Sequence, residues 1–283
     1  MIFRILSAII ITHFVLVPIL PQENSVSTTP NSGYFTITYK NTDVNLELKA
    51  NGYTIKDNSS NDDSSGQEDI NHWIMPKNNR LSIRISERKP NQSKSTFPIS
   101  KSVQIKLIIA QAGQFPDEGK SILNFEWPKS NEKNQVPNGE WIDVTFDPPF
   151  VPPSQLWNQA EKIAWTKDLE KEAIGMMETL VKALNARNVK QVSSLLTFRQ
   201  IETTETRYQK YDPAEEEKSL AIMMKQIGSS WKLKKKDIKV NLLCDDKIVN
   251  LTNQKNEALI QGKNGAEIPI YLGLVKGKLT FVR

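Results

Sequence analysis

At Asp147-Pro148-Pro149-Phe150-Val151-Pro152-Pro153 the hydrophobic spacing of this chain changes from two residues to between three and four. Proline lacks an amide hydrogen and fixes φ, so a run of four in seven residues cannot sit inside a central strand or open a helix smoothly. Residues 147–153 are therefore predicted to form a stiff, extended linker with a separate core on either side.

Before the linker the apolar residues alternate. Phe35, Ile37 and Tyr39 share one face, as do Val44, Leu46 and Leu48; Leu81, Ile83 and Ile85; Val103, Ile105, Leu107 and Ile109; and Ile142, Val144 and Phe146. Period two sends one face into a core and leaves the other wet. With weaker runs at His72–Met75 and Ser121–Trp127, residues 33–146 are expected to supply about seven strands of an all-β sandwich. Two polar stretches, Lys56–Asp69 and Lys89–Ser102, read as surface loops.

After the linker, residues 154–283 read as an α+β unit with helices packed on a curved antiparallel sheet. Ser154 is a fair helix cap, and Leu169, Ala173, Met176, Met177, Leu180, Val181 and Leu184 follow at helical steps. Ala186-Arg187-Asn188 breaks the pattern, and Val189, Val192, Leu195 and Leu196 give a shorter second helix. A third opens at Asp212-Pro213, where Asp caps and Pro takes the first turn, and closes at Gly228. Strands are expected at 238–243, 247–251, 257–261, 268–274 and 279–282, with hairpin turns at Asn264-Gly265 and Lys276-Gly277.

The carboxy-terminal half resembles the nuclear transport factor 2-like fold. The likeness rests on residues 178–196, a helix, a polar break and a second helix, and on an ending in which Ile268–Leu272, Gly277-Lys278 and Thr280–Arg283 are similar to that fold's closing hairpin. It implies a conical half-barrel with a pocket between helices and sheet. Members include isomerases and dehydratases as well as many non-catalytic proteins. Their catalytic Asp, His and Tyr patterns have no counterpart here, so the resemblance carries over a fold and no site residues. The first half is immunoglobulin-like in architecture alone, since residues 33–150 contain no cysteine for the Cys–Trp–Cys core.

Residues 1–21 read as an export signal: a positive start at Met1–Arg4, then the apolar run Ile5–Leu20. That run is shorter than the roughly 20 residues of a membrane-spanning helix. Residues 22–32 are a polar, flexible lead-in. No small-x-small triplet lies near residues 18–25, so the alternative is an uncleaved anchor that would associate the protein with the inner membrane. The formal charge is +5; without Arg4 of the leader it is 5 − 1, or +4, modestly basic. Cys244 is the single cysteine, which excludes an intramolecular disulfide and a cysteine-rich zinc site. Signal and lone thiol together point to the bacterial periplasm or the extracellular space.

Few side chains offer chemistry. Outside the leader the only histidine is His72, so a two-histidine zinc site cannot be built, and no G-x-S-x-G elbow is present. His72 beside Trp73 reads as a packing pair. Asp57, Ser59, Asn61, Asp63, Ser65 and Glu68 match the spacing of a calcium loop, but Asp62 stands where the sharp turn needs Gly, and the stretch reads as a loop. Lys232, Lys234, Lys235, Lys236 and Lys239 concentrate positive charge; they would contact a partner or an anionic surface, or simply keep a strand edge solvated. Trp127, Trp141, Trp157 and Trp165 gather around the linker and are expected to cover the junction, with Trp157 and Trp165 on one helical face. Cys244 reads as a small buried hydrophobe.

The sequence thus points to an exported, non-enzymatic envelope protein whose partner is a protein or small molecule, with no cofactor, no metal and no nucleic-acid motif. The alternative is a small-molecule enzyme using a pocket in the second half, with Glu202 or Glu205 as base.

Overall fold

The computed structural model describes residues 32–57, 62–88, 100–129, 137, 139–228 and 230–283. The expected leader, residues 22–31 of the lead-in and residues 89–99 of the second loop lie outside the described residues. Among those described, four antiparallel sheets and four α-helices make a mixed α+β arrangement with no closed barrel. No helix among them is long and apolar enough to cross a membrane.

The first half contains β1 (Tyr34–Thr42), β2 (Asn45–Ala50), β3 (Tyr53–Lys56), β4 (Ser64–Asp69), β5 (Asn79–Ser86), β6 (Ser102–Ala110), β7 (Lys120–Trp127) and β8 (Trp141–Phe146). One sheet has the order β4-β1-β6-β7 and the other β3-β2-β5-β8. The alternation explains how they pack. Phe35, Ile37, Ile105 and Leu107 of the first sheet and Leu46, Leu48, Leu81, Ile83 and Ile85 of the second are all at most 1% exposed and belong to one buried cluster. Each such side chain contributes on the order of 1.5–3 kcal/mol when withdrawn from water.

Two expectations are corrected here. His72–Met75 is not a strand: Asn71–Trp73 forms one turn of 3-10 helix that drops Trp73 into the core. The stretch Lys56–Asp69 is not a loop throughout. Its second part is β4, paired along β1 from Thr36↔Asp69 to Asn41↔Ser64. β4 is an edge strand with no apolar alternation, and backbone pairing to β1 makes it a strand.

The second half runs α1 (Leu156–Gln159), β9 (Ala160–Glu161), α2 (Lys167–Asn185), α3 (Val189–Glu205) and α4 (Pro213–Ile227). It continues as β10 (Lys232–Leu233), β11 (Lys239–Leu243), β12 (Ile248–Thr252), β13 (Ile260–Gln261), β14 (Glu267–Ile268), β15 (Ile270–Val275) and β16 (Lys278–Phe281). The main sheet has the order β11-β12-β15-β16, with β9 added to β15; β10, β13 and β14 make a small third-and-separate ladder. Helices α2–α4 and this sheet bury a second cluster that includes Met177, Leu180, Leu184, Val192, Val249, Leu251 and Leu272. Asp212 caps α4 as its position suggests, its Oδ1 accepting from Ala214 N and Glu215 N. Lys276 and Gly277, at φ +50° and +72°, turn β15 into β16. Ser154, expected to cap a long helix, does not: α1 is a single turn, and α2 starts at Lys167 under Thr166, whose Oγ1 accepts from Leu169 N.

The first buried cluster does not stop at the linker. Leu156, Trp157, Ala160, Leu243, Cys244, Ile248, Val275 and Val282 of the second half belong to it. Pro148–Pro153 carries the chain straight onto this seam, and α1 tucks Leu156 and Trp157 into it.

Candidate functional site

The chemically versatile residues meet at the seam. Glu202, on the last turns of α3, is fully buried. Its Oε1 accepts from the backbone N–H groups of Gln155 (2.5 Å) and Leu156 (2.9 Å). Its Oε2 accepts from Ser154 Oγ (2.8 Å) and Arg283 Nη1 (2.9 Å). Four donors occupy both oxygens of one carboxylate, which makes Glu202 the cap of α1 and the counter-ion of Arg283. Glu205, one turn on, accepts from Gln155 Nε2 at 3.1 Å with each oxygen. The two carboxylates singled out in the sequence therefore both hold the linker's exit.

Arg283 is 5% exposed, and its guanidinium carbon lies 5.9 Å from the Trp73 ring centroid and 5.4 Å from that of Trp157. Trp73 is stacked on Tyr53 (4.2 Å between centroids, 14° between planes) and meets Tyr271 edge-on at 5.2 Å. His72 flanks Trp73 at 5.3 Å. Burial, and then the charges of Arg283, Arg207 and Arg199, hold the His72 imidazole well below the ordinary histidine range, so it is neutral at physiological pH. Burial pushes the Tyr271 hydroxyl up to about 12 despite the opposing Arg199 charge, and the Cys244 thiol up to about 12 despite Arg283. A thiol in that state has no nucleophilic thiolate at neutral pH.

Three further contacts pin the halves together. Asn71, fully buried, accepts from Phe35 N (2.5 Å) and donates through Nδ2 to the carbonyl of Thr206 (2.9 Å) just past α3. Arg207 Nε donates to Asp69 Oδ2 at 3.0 Å, and Tyr208 meets Tyr34 edge-on at 5.7 Å. On the other side the Asn51-Gly52 turn, with φ of +51° and +89°, lies against Leu243, and Cys244 N donates to Asn51 O at 2.9 Å. A side chain on Gly52 would come within 2.8 Å of Leu243 Cδ2.

Of the four tryptophans expected at the junction, only Trp157 forms the seam with a second indole, and that indole is Trp73. Trp127 is buried at the end of β7. Trp141 is 39% exposed on β8, with Lys49 Nζ 4.7 Å and the Arg84 guanidinium 4.9 Å from its ring centroid. Trp165 packs on the second cluster, and it does not share a helix with Trp157, because β9 and an extended segment separate α1 from α2. Trp127 and Trp141 fall in strands of different sheets, the first turned into the core and the second toward solvent.

The lysine run divides at the Lys236-Asp237 turn. Lys232, Lys234 and Lys236 are exposed, Lys235 is paired with Glu178 of α2, and Lys239 Nζ donates to Asn256 Oδ1 at 2.8 Å. The calcium-loop spacing does not form a cage among the described residues. Ser65 and Glu68 sit in extended β4 on opposite faces, Glu68 accepts from Tyr53 Oη at 3.4 Å, and Asp63 pairs with Arg88 at 2.5 Å. No cluster of three metal-ligating side chains occurs among the described residues.

The outward face of β4, β1 and β6 forms an open groove of about 500 Å³ that sequence reading missed. Register places Ser65, Lys40 and Gln104 in one row across the three strands and Gln67, Thr38 and Lys106 in the next. All six side chains are polar, and Lys40 and Lys106 stand diagonally to one another. Tyr39 and Gly66 pair between the two rows with their side-chain positions on the opposite, core-facing side of the sheet, where a Cβ on Gly66 would fall 2.3 Å from Tyr39 Oη. The polar half of the β1 and β6 alternation was the available signal, but without β4 it had no third strand to form a groove.

Comparisons with protein-family models, with curated proteins and with solved structures find no match.

Proposed function

We propose that this protein is an exported, non-enzymatic binding protein of the cell envelope, and that the groove on β4, β1 and β6 holds its partner. The observation that carries the proposal is the two-by-three array of hydrogen-bonding side chains, with Lys40 on its middle strand and Lys106 diagonal to it on β6. Such a surface suits a polar ligand bearing negative charge, because the lysine ammonium groups and side-chain amides supply donors from a paired strand framework. The amino-terminal run Ile5–Leu20 supports export, with cleavage near residue 21 or retention as an inner-membrane anchor.

On this reading the first half is a β-sandwich of the immunoglobulin-like kind. The two sheets that share one core support it. The second half is read as nuclear transport factor 2-like, supported by α2–α4 packed with the β11-β12-β15-β16 sheet and by the closing β15–β16 hairpin. The saturation of Glu202 and the neutral states of His72 and Cys244 favour a structural role for the seam over a catalytic one.

The test is retention of envelope material on immobilised protein. Residues 22–283 and the double variant Lys40→Glu/Lys106→Glu are exposed to the same envelope extract, proteins and polysaccharides alike. The proposal expects material held by the native groove and lost from the variant, whose thermal stability is unchanged. Equal retention by both surfaces removes the groove from the function.

A further inference from the structure

Arg283 engages only part of its guanidinium. Nη1 donates to Glu202 Oε2 and to the Val282 carbonyl, whereas Nε and Nη2 are buried with no hydrogen-bond acceptor among the described residues. Those two N–H groups form the side-on fork of a guanidinium, the edge that chelates a carboxylate or a spherical anion. The indole N–H groups of Trp73 and Trp157, whose rings flank the same guanidinium, are also buried without an acceptor among the described residues. Trp73 is 1% and Trp157 7% exposed. Indole N–H is a donor only, and buried donors ordinarily find an acceptor because leaving them unpaired forfeits their hydration.

Four donors on three buried side chains, one of them a permanent cation, share the requirement for an acceptor. None of the four has an acceptor within hydrogen-bond distance among the described residues, and Glu202 is saturated by its own four donors. We propose that the seam between the two halves binds a small monovalent anion, a halide or a simple carboxylate such as formate, on the Nε/Nη2 edge of Arg283 with the Trp73 and Trp157 indoles as further donors. Positive charge gathers around the seam: Arg283, Arg207 and Arg199 all act on His72. Binding at the seam ties the anion to the assembled state of the chain, because the donors come from β-rich first-half structure, from α1 and from the second residue after β16.

The site is read out by calorimetric unfolding of the full chain at fixed pH and ionic strength. Sodium bromide in one arm and sodium formate in the other progressively replace a salt of a bulky sulfonate. A ligand bound only by the folded state at free concentration c raises the unfolding free energy by RT ln(1 + c/Kd), so the midpoint turns upward near Kd and then climbs with the logarithm of concentration. The proposal expects that logarithmic rise in at least one arm. It also expects Trp73→Phe and Trp157→Phe, which keep the rings and delete one donor each, to move its onset to an about tenfold higher concentration, the equivalent of one hydrogen bond. Arg283→Lys, which retains charge toward Glu202 but loses the fork, should abolish the dependence. If that variant does not fold, the two phenylalanine variants decide. A midpoint that shifts identically for native protein and both phenylalanine variants, or that does not rise with anion concentration in either arm, overturns the proposal and leaves the donors to water.

Discussion

Glu202 and Arg283 stand 81 positions apart, and each is inexplicable without the other. A carboxylate at 0% exposure survives only because four donors replace its hydration. Truncating it leaves the Arg283 charge buried and uncompensated and frees the N–H groups of Gln155 and Leu156. Glu202→Ala is therefore expected to lower unfolding free energy by about 3–5 kcal/mol, measured by urea denaturation. The apolar replacement Glu202→Leu/Arg283→Met should cost clearly less than the sum of its two single changes, since the pair is exchanged for packing. Additive losses would show that the two residues act independently. In the sequence Glu202 was visible only as a carboxylate past the apolar stripe that ends at Leu196, a candidate base with no partner in view. Its burial depends on where residues 154–156 and 283 arrive, which no local pattern encodes.

At the scale of elements, strands whose apolar residues alternate were readable, because period two ties a side chain's position to its face. β1, β2, β5, β6 and β8 fall where that pattern lies. β4 was not readable: Ser64-Ser65-Gly66-Gln67-Glu68-Asp69 has no apolar face, and an edge strand is held by its neighbour's backbone. The β2–β3 hairpin did carry a signal, Asn51-Gly52, of the kind that marks a two-residue turn. α3 extends well beyond Leu196 because its later residues, among them Gln200 and Glu202, are buried as polar groups and break the apolar stripe. Gly66 tests the β4 pairing. Ala for Gly in a strand normally stabilises by about 0.5–1 kcal/mol. Here the new methyl meets the Tyr39 ring, so Gly66→Ala is expected to destabilise by about 1–3 kcal/mol. In a Tyr39→Ala background the same change should become neutral or favourable, by thermal or urea unfolding.

For the whole molecule, the switch in hydrophobic period at residues 147–153 marks a change of architecture, while burial continues across it. The linker delivers Leu156 and Trp157 into a core built by the first half, and Asn51, Asn71, Asp69 and Tyr34 bind the second half in return. The groove on β4, β1 and β6 is thereby carried on a body made by both halves. The most direct test of this shared core is equilibrium urea unfolding of the full chain, followed in parallel by far-ultraviolet circular dichroism and by tryptophan fluorescence. Among the described residues the four α-helices all lie in the second half, whereas the indoles report both halves and the seam. One transition with coincident midpoints and slopes is expected. Two resolved transitions, with helix lost at a different urea concentration from the tryptophan signal, would contradict it.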